Sequence, residues 1–386
     1  MKGASAYFAV AGGLIITLLA WSASTAQTFS QYPGFTEYFA ANPPREALPT
    51  AQEQALLKRH QPRIYLPAHH PGLISFYDDY IAQGELIGPD GKVLSSSVTP
   101  SLLNAHKEDP RVVFEHQPNG RGQTPVVFGR VDYSDRILET SQRFTLLTYH
   151  AVFRVSGIVA GVAWWQALAL SIAGDLEDWH QLDHYTAATL VLDEAQQPVM
   201  LMLQQHNCTR TYLYGEALSR PEDGRPPVDV AIRSNELYPH ESRRVRRRAV
   251  SFLDPKSFRY MIGAGKKPLM TADDITHPQH EAAYELRFLA PSDAFYTFKG
   301  TLGKRRWLPG RDGPPGADYN TLPSLKPPHR QLVAGYWRAG HRGDMTRLDE
   351  ALATSDYIGA FLQVQMPIFR GNVRRAMHGH GTGAFR

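Results

Sequence analysis

The sequence predicts a mainly β chain: an antiparallel β-sandwich with peripheral helices and one apolar helical insertion. Runs rich in branched and aromatic residues recur at 63–66, 125–131, 144–154, 185–193, 199–206 and 228–232, with Gly, Pro, Asn and Asp between them. That is the pattern of short strands and turns. Two of the runs, 185–193 and 199–206, are joined by a short polar connection that suits a hairpin. One stretch breaks the pattern: residues 155–174 contain no charged side chain. Hydrophobic residues make up 42% and charged residues 20%, a balance that excludes a wholly disordered chain.

The elements follow in order. Lys2 is followed by no charged residue until Glu37, and residues 4–21 are almost continuously apolar. Small residues at Ser24 and Ala26 suit cleavage after Ala26, so 1–26 is expected to be a signal peptide, with an uncleaved N-terminal anchor as the alternative. Either places the body outside the cytoplasm, periplasmic or secreted. Pro33, Pro43, Pro44 and Pro49 mark 27–49 as a linker. Thr50 and Glu53 form a capping box, which predicts a helix from 51 to about 60, ended by Pro62. The strands then define a core domain over 50–250. Residues 251–370 are expected to be a C-terminal extension packed on that core, with a helix from near Asp344, and 371–386 a disordered tail. Cys208 is the only cysteine in 386 residues, so no internal disulfide is possible and packing must supply the stability.

Residues 155–174 have the length of a membrane span. Two readings compete: a helix or helical hairpin buried against the sandwich, or a segment that touches a bilayer with Trp164 and Trp165 at the headgroup level. The net charge is +4, yet Arg243, Arg244, Arg246, Arg247 and Arg248 lie in one short run. Such a run forms a solvated edge or attracts anionic lipid. No interleaved aromatic motif accompanies it, so nucleic acid is not an expected partner.

The stretch GDLEDWHQLDHY, 174–185, holds the densest chemistry. If extended, it puts Asp178, His180 and His184 on one face. If helical, His180 and His184 again align, four residues apart. Together with Asp175 these groups suit one divalent cation, or a carboxylate-oriented imidazole for proton transfer. Alternatively the acids solvate a loop and the histidines are hydrogen-bonded beneath it. His150 and His206 end neighbouring strands and can converge on the same end of the sheet. No GxSxG, HExxH, CxxC pair or phosphate loop is present, which leaves standard hydrolase and nucleotide sites without support.

The motifs QPRIYLPAHHPG at 61–72, FYDDY at 76–80, FGRVDY at 128–133, TYHAVFR at 148–154, Asp178-Trp179, MLQQH at 202–206 and VDVAIRSNELYP at 228–239 occur in an order that resembles the vacuolar protein sorting 62 family. The likeness covers roughly 60–245. That family is similar in turn to the necrosis- and ethylene-inducing-like proteins, secreted β-sandwiches whose GHRHDWE motif ligates a divalent metal near a membrane-glycolipid site. On this chain Asp178 and Trp179 match that motif, Asp175 stands for its first histidine, and His180 for its glutamate; the family's upstream aspartate would fall in 155–174, which contains no acid.

Three functions follow. The first is a non-catalytic exported β-sandwich that binds an envelope lipid, glycan or protein partner through Trp164, Trp165, His150, His206 and the arginine run. The second is a metal-dependent hydrolase using Asp175, Asp178, His180 and His184, the cation lowering the pKa of bound water. The third is a structural envelope component.

Overall fold

The computed structural model describes residues 45–117, 123–133, 144–174, 180–205, 208–215, 218–240, 246–247, 270–271, 275, 278–304 and 313–317. The chain is mainly β, and two sheets face each other as a sandwich. A four-stranded sheet runs β13-β12-β1-β16, from β1 (Arg63–Pro67), β12 (Pro227–Val230), β13 (Leu237–Pro239) and β16 (Gln279–Glu281). A six-stranded sheet runs β11-β10-β9-β6-β5-β17, from β5 (Val126–Tyr133), β6 (Thr145–His150), β9 (Ala187–Leu192), β10 (Pro198–Gln205), β11 (Cys208–Leu213) and β17 (Glu285–Phe288). Pairing is mostly antiparallel, with β1–β12 and β5–β17 parallel.

Alternation along each strand builds the core. Ile64, Leu66, Val228, Val230 and Leu237 of one sheet meet Val127, Leu147, Tyr149, Leu190, Leu201 and Leu203 of the other. The opposite face of the six-stranded sheet is also covered. Val126 and Phe128 project there into a second core with Phe76, Tyr80, Phe114, Phe295 and Leu302. β5 is therefore sandwiched on both sides, which explains why its apolar run is nearly continuous. The second core is roofed by a third sheet, order β18-β4-β2-β3, made of β2 (Gly84–Ile87), β3 (Val93–Ser95), β4 (Val113–His116) and β18 (Thr301–Leu302). The short helices α2 (Pro100–Ala105) and α4 (Ala294–Thr297) complete it.

The first helix, α1 (Ala51–Arg59), forms as the capping box requires. Thr50 Oγ1 accepts the Glu53 N–H, and the Glu53 carboxylate accepts the Thr50 N–H at 2.7 Å. Glu53 also takes hydrogen bonds from Arg45 and Tyr133, so one acid caps the helix and ties it to β5.

Three expectations change. The run 144–154 is two strands: β6 ends at His150, and β7 (Phe153–Ser156) starts a separate ribbon with β8 (His180–Asp183). The sandwich does not end at 250, because β16 and β17 are edge strands of both sheets. The extended geometry expected to align His180 with His184 fails: β8 stops at Asp183, and Leu182 has φ +58°, so alternation breaks before His184. Residues 1–26, most of the linker, the helix expected near Asp344 and the tail lie outside the described residues.

Candidate functional site

The chain leaves the sandwich along β7, runs through α3 (Trp164–Gly174) and returns along β8. Ser156 pairs with His180 and Phe153 with Asp183, so a two-stranded ribbon, packed into both cores through Phe153 and Leu182, carries the insertion as an arm whose exposed part is the start of α3. At the start of α3 the large apolar side chains look outward. Trp164 is 76% exposed, Trp165 46% and Leu168 49%, whereas Gln166 is 7% exposed. A helix on a soluble core ordinarily does the opposite, burying its apolar stripe. Among the described residues no helix is long and apolar enough to cross a membrane.

The base of the arm is fastened on both sides. Asn235 Nδ2 donates to the Val155 carbonyl on β7 at 2.8 Å and to Asp183 Oδ2 on β8 at 2.9 Å. His70 Nε2–H donates to Asn235 Oδ1 at 3.2 Å, and His70 Nδ1 accepts the Gly72 N–H at 3.0 Å, which fixes a neutral imidazole. Thr186 Oγ1 donates to Asp183 Oδ1 at 2.6 Å. Gly157 N–H donates to the Arg233 carbonyl at 2.6 Å, and a Cβ at Gly157 would lie 2.7 Å from that oxygen, so only glycine permits this approach.

On the other side of β7, Arg154 Nη2 donates to both oxygens of buried Asp79, at 2.9 and 3.0 Å. Arg154 Nη1 donates to His116 Nε2 at 2.8 Å, while His116 Nδ1–H donates to the Tyr80 carbonyl at 3.1 Å. Asp79 lies in a π-helical turn, Phe76–Tyr80, capped by Ser75.

Backbone strain gathers at the same base. His69, Leu182 and Asn235 occupy the left-handed region at φ +70°, +58° and +58°. Each belongs to the network or adjoins a member. For a residue with a Cβ this conformation costs on the order of 1 kcal/mol, and it persists only where surrounding contacts over-determine it. Burial raises the Asp183 carboxyl to about 6, against the hydrogen bonds from Thr186 and Asn235 that lower it. Burial lowers His70 to about 4, with the Asn235 hydrogen bond opposing.

The residues expected to form a site divide sharply. Trp164 and Trp165 stand at the surface. His184 is fully buried, stacked on Phe76 at 5.6 Å and edge-on to Phe295, so this imidazole is a core side chain and does not fit a ligand at a sheet rim. His150 does converge with it, Nδ1 lying 3.3 Å from the His184 carbonyl, but inside the aromatic core against Phe295 and Tyr296. Burial lowers His150 to about 3. Arg246 and Arg247 form β14, which pairs in parallel with β15 (Met270–Thr271). Asp175, Asp178, His206, Arg243, Arg244 and Arg248 lie outside the described residues; His180 opens β8. Among the described residues no three His, Cys, Asp or Glu side chains come together as a metal site.

His70, Asp183, Asn235, Asp79 and Arg154 were all missed as site residues, although each falls within a stretch that drew attention for other reasons. No protein-family model, curated protein or solved structure matches the chain.

Proposed function

We propose that the protein is a non-catalytic, exported β-sandwich that binds a lipid surface through the α3 arm. The observation that carries this is the outward pair Trp164 and Trp165, with Leu168 beside them, on a helix whose polar Gln166 points inward. Indole rings settle at the boundary between headgroups and acyl chains, where an apolar body and a polar N–H are both satisfied. Eleven helical residues span about 16 Å, against an acyl core of about 30 Å. The arm therefore lies in the interface and does not cross it.

The polar network beneath the arm supports a binding reading over a catalytic one. Both His70 nitrogens and both Asp183 oxygens already serve hydrogen bonds within the protein. Those bonds anchor strands and leave neither group poised toward a substrate.

Vesicle co-flotation of the full chain tests the reading. The parent is expected to float, and Trp164→Ser/Trp165→Ser to lose binding by about tenfold or more without a change in thermal unfolding, since both side chains are exposed. Equal flotation of parent and variant sinks the proposal.

A further inference from the structure

The outward face of the four-stranded sheet carries an imidazole whose orientation is fixed. On β1 and β12, Ile64, Leu66, Val228 and Val230 turn into the core, so the alternate residues Arg63, Tyr65 and Asp229 turn outward. His240 follows β13 and lies flat on Tyr65, the ring centroids 4.0 Å apart and the planes 15° from parallel. Its Nδ1 is 2.6 Å from Oδ1 of Asp229, a carboxylate with 0% exposure. Stacking and a buried acid together set the ring. The other nitrogen, Nε2, has no hydrogen-bond partner among the described residues, and the side chain is 30% exposed.

Arg63 stands beside it. Arg63 and Tyr65 alternate along β1, about 6.6 Å apart, so the guanidinium and the imidazole on Tyr65 are neighbours on one face. Arg154, Arg225 and Arg287 all donate hydrogen bonds within the protein. The Arg63 guanidinium makes none among the described residues: Nε is buried without an acceptor, and Asp223 Oδ2 stands 3.8 Å away. A buried N–H in that condition is rare in a folded protein. Glu281, across from Tyr65 on β16, is offset by Arg225 at 3.9 Å.

We propose that Arg63 and His240 form a binding site for a phosphate monoester group, the guanidinium fork taking two oxygens and Nε2 another. This does not rest on the reading of α3. The second proton of such a phosphate is lost only at about pH 6, so Nε2 shares a proton with the bound group whichever holds it: an imidazolium donates, or the P–OH donates to a neutral nitrogen. A carboxylate is a poorer ligand. Asp223 already stands within reach of Arg63 without closing on it, and a carboxylate from solution brings nothing that Asp223 lacks, whereas a phosphate brings a second charge and a further oxygen.

The test follows the Cε1–H resonance of His240 in the full chain, identified by its loss in His240→Gln, during titration with inorganic phosphate or acetate at about pH 7. Phosphate is expected to shift it saturably and acetate not. Arg63→Gln and Arg63→Lys are each expected to weaken phosphate binding about fivefold or more, the lysine because it keeps the charge and loses the fork. Asp223→Asn is expected to strengthen it several-fold by removing the competing carboxylate. Flotation of Trp164→Ser/Trp165→Ser on phosphatidic acid vesicles separates the sources. Binding lost on adding Arg63→Gln makes the phosphate a lipid headgroup; no binding, or binding that persists in that variant, makes it a soluble monoester. A shift that grows linearly, that acetate matches, or that survives Arg63→Gln unchanged overturns the site and leaves the reading of the arm standing.

Discussion

Asp183 and His70 share one hydrogen-bonded chain yet respond to acid in opposite senses. Asp183 titrates at about 6 in the folded protein, above an ordinary aspartate near 3.9. Its contribution is therefore complete below about pH 4 and lost as pH rises through 6. His70 titrates at about 4, below an ordinary histidine near 6.5, so its contribution is present at neutral pH and lost as pH falls through that window. The two slopes oppose each other between about pH 4 and 6. Asp183→Asn removes one. An amide can still accept from Asn235 and donate to Thr186 with its hydroxyl turned round. The variant is expected to gain stability near pH 8, by at most about 3 kcal/mol. It is also expected to lose stability more steeply than the parent on acidification. Urea midpoints across pH decide it; a parallel offset at every pH refutes the coupling. The same residues show where sequence reading stopped. The stretch 174–185 drew attention for Asp175, Asp178, His180 and His184, and Asp183 on the opposite face of the expected strand was given no role; nothing local announces that Leu182 turns left-handed. Leu182 packs into the second core, and the next residue, Asp183, bonds Asn235 and through it His70, partners far away in the chain.

At the scale of elements, the outcome follows how locally each is encoded. Helix α1 was legible to within a residue, since its cap is written in Thr50 and Glu53. The β9–β10 hairpin was legible from two periodic runs and a turn, where Gln196 takes φ +57°. The third sheet was not. β2, β3, β4 and β18 are two to four residues long and gain their order from Tyr80, Phe114 and Phe295 rather than from periodicity. The π-helical turn likewise owes its place to a distant partner. Arg154→Ala leaves the Asp79 carboxylate buried at 1% exposure without its counter-ion. The expected cost is about 3 kcal/mol, read as a lowered urea midpoint with an unchanged slope. A cost under about 0.5 kcal/mol would mean that water reaches Asp79 freely.

For the whole molecule, the decisive segment lies beyond the predicted domain. A chain ending at residue 270 keeps every strand that the sequence announced, but loses β16, β17 and the Phe295 side of the second core. It is expected to be recovered insoluble, or to lack a cooperative thermal transition, whereas a chain ending at 317 unfolds in one step. Cooperative melting of the shorter chain would show that 50–250 is self-sufficient. Sandwich class was readable because alternation is a local signal; closure was not, because edge pairing joins residues as far apart in the chain as Tyr65 and Glu281, or Val126 and Glu285.

Between β16 and β17 only Ala282, Ala283 and Tyr284 intervene, and the chain passes from one sheet to the other within them. Both open flanks are consequently sealed in a single late stroke of synthesis. Until then a ribosome-bound chain displays two unpaired strand margins side by side. For this protein, the interval before that crossing is when neighbouring nascent chains can zip together, and a holding chaperone has most to protect.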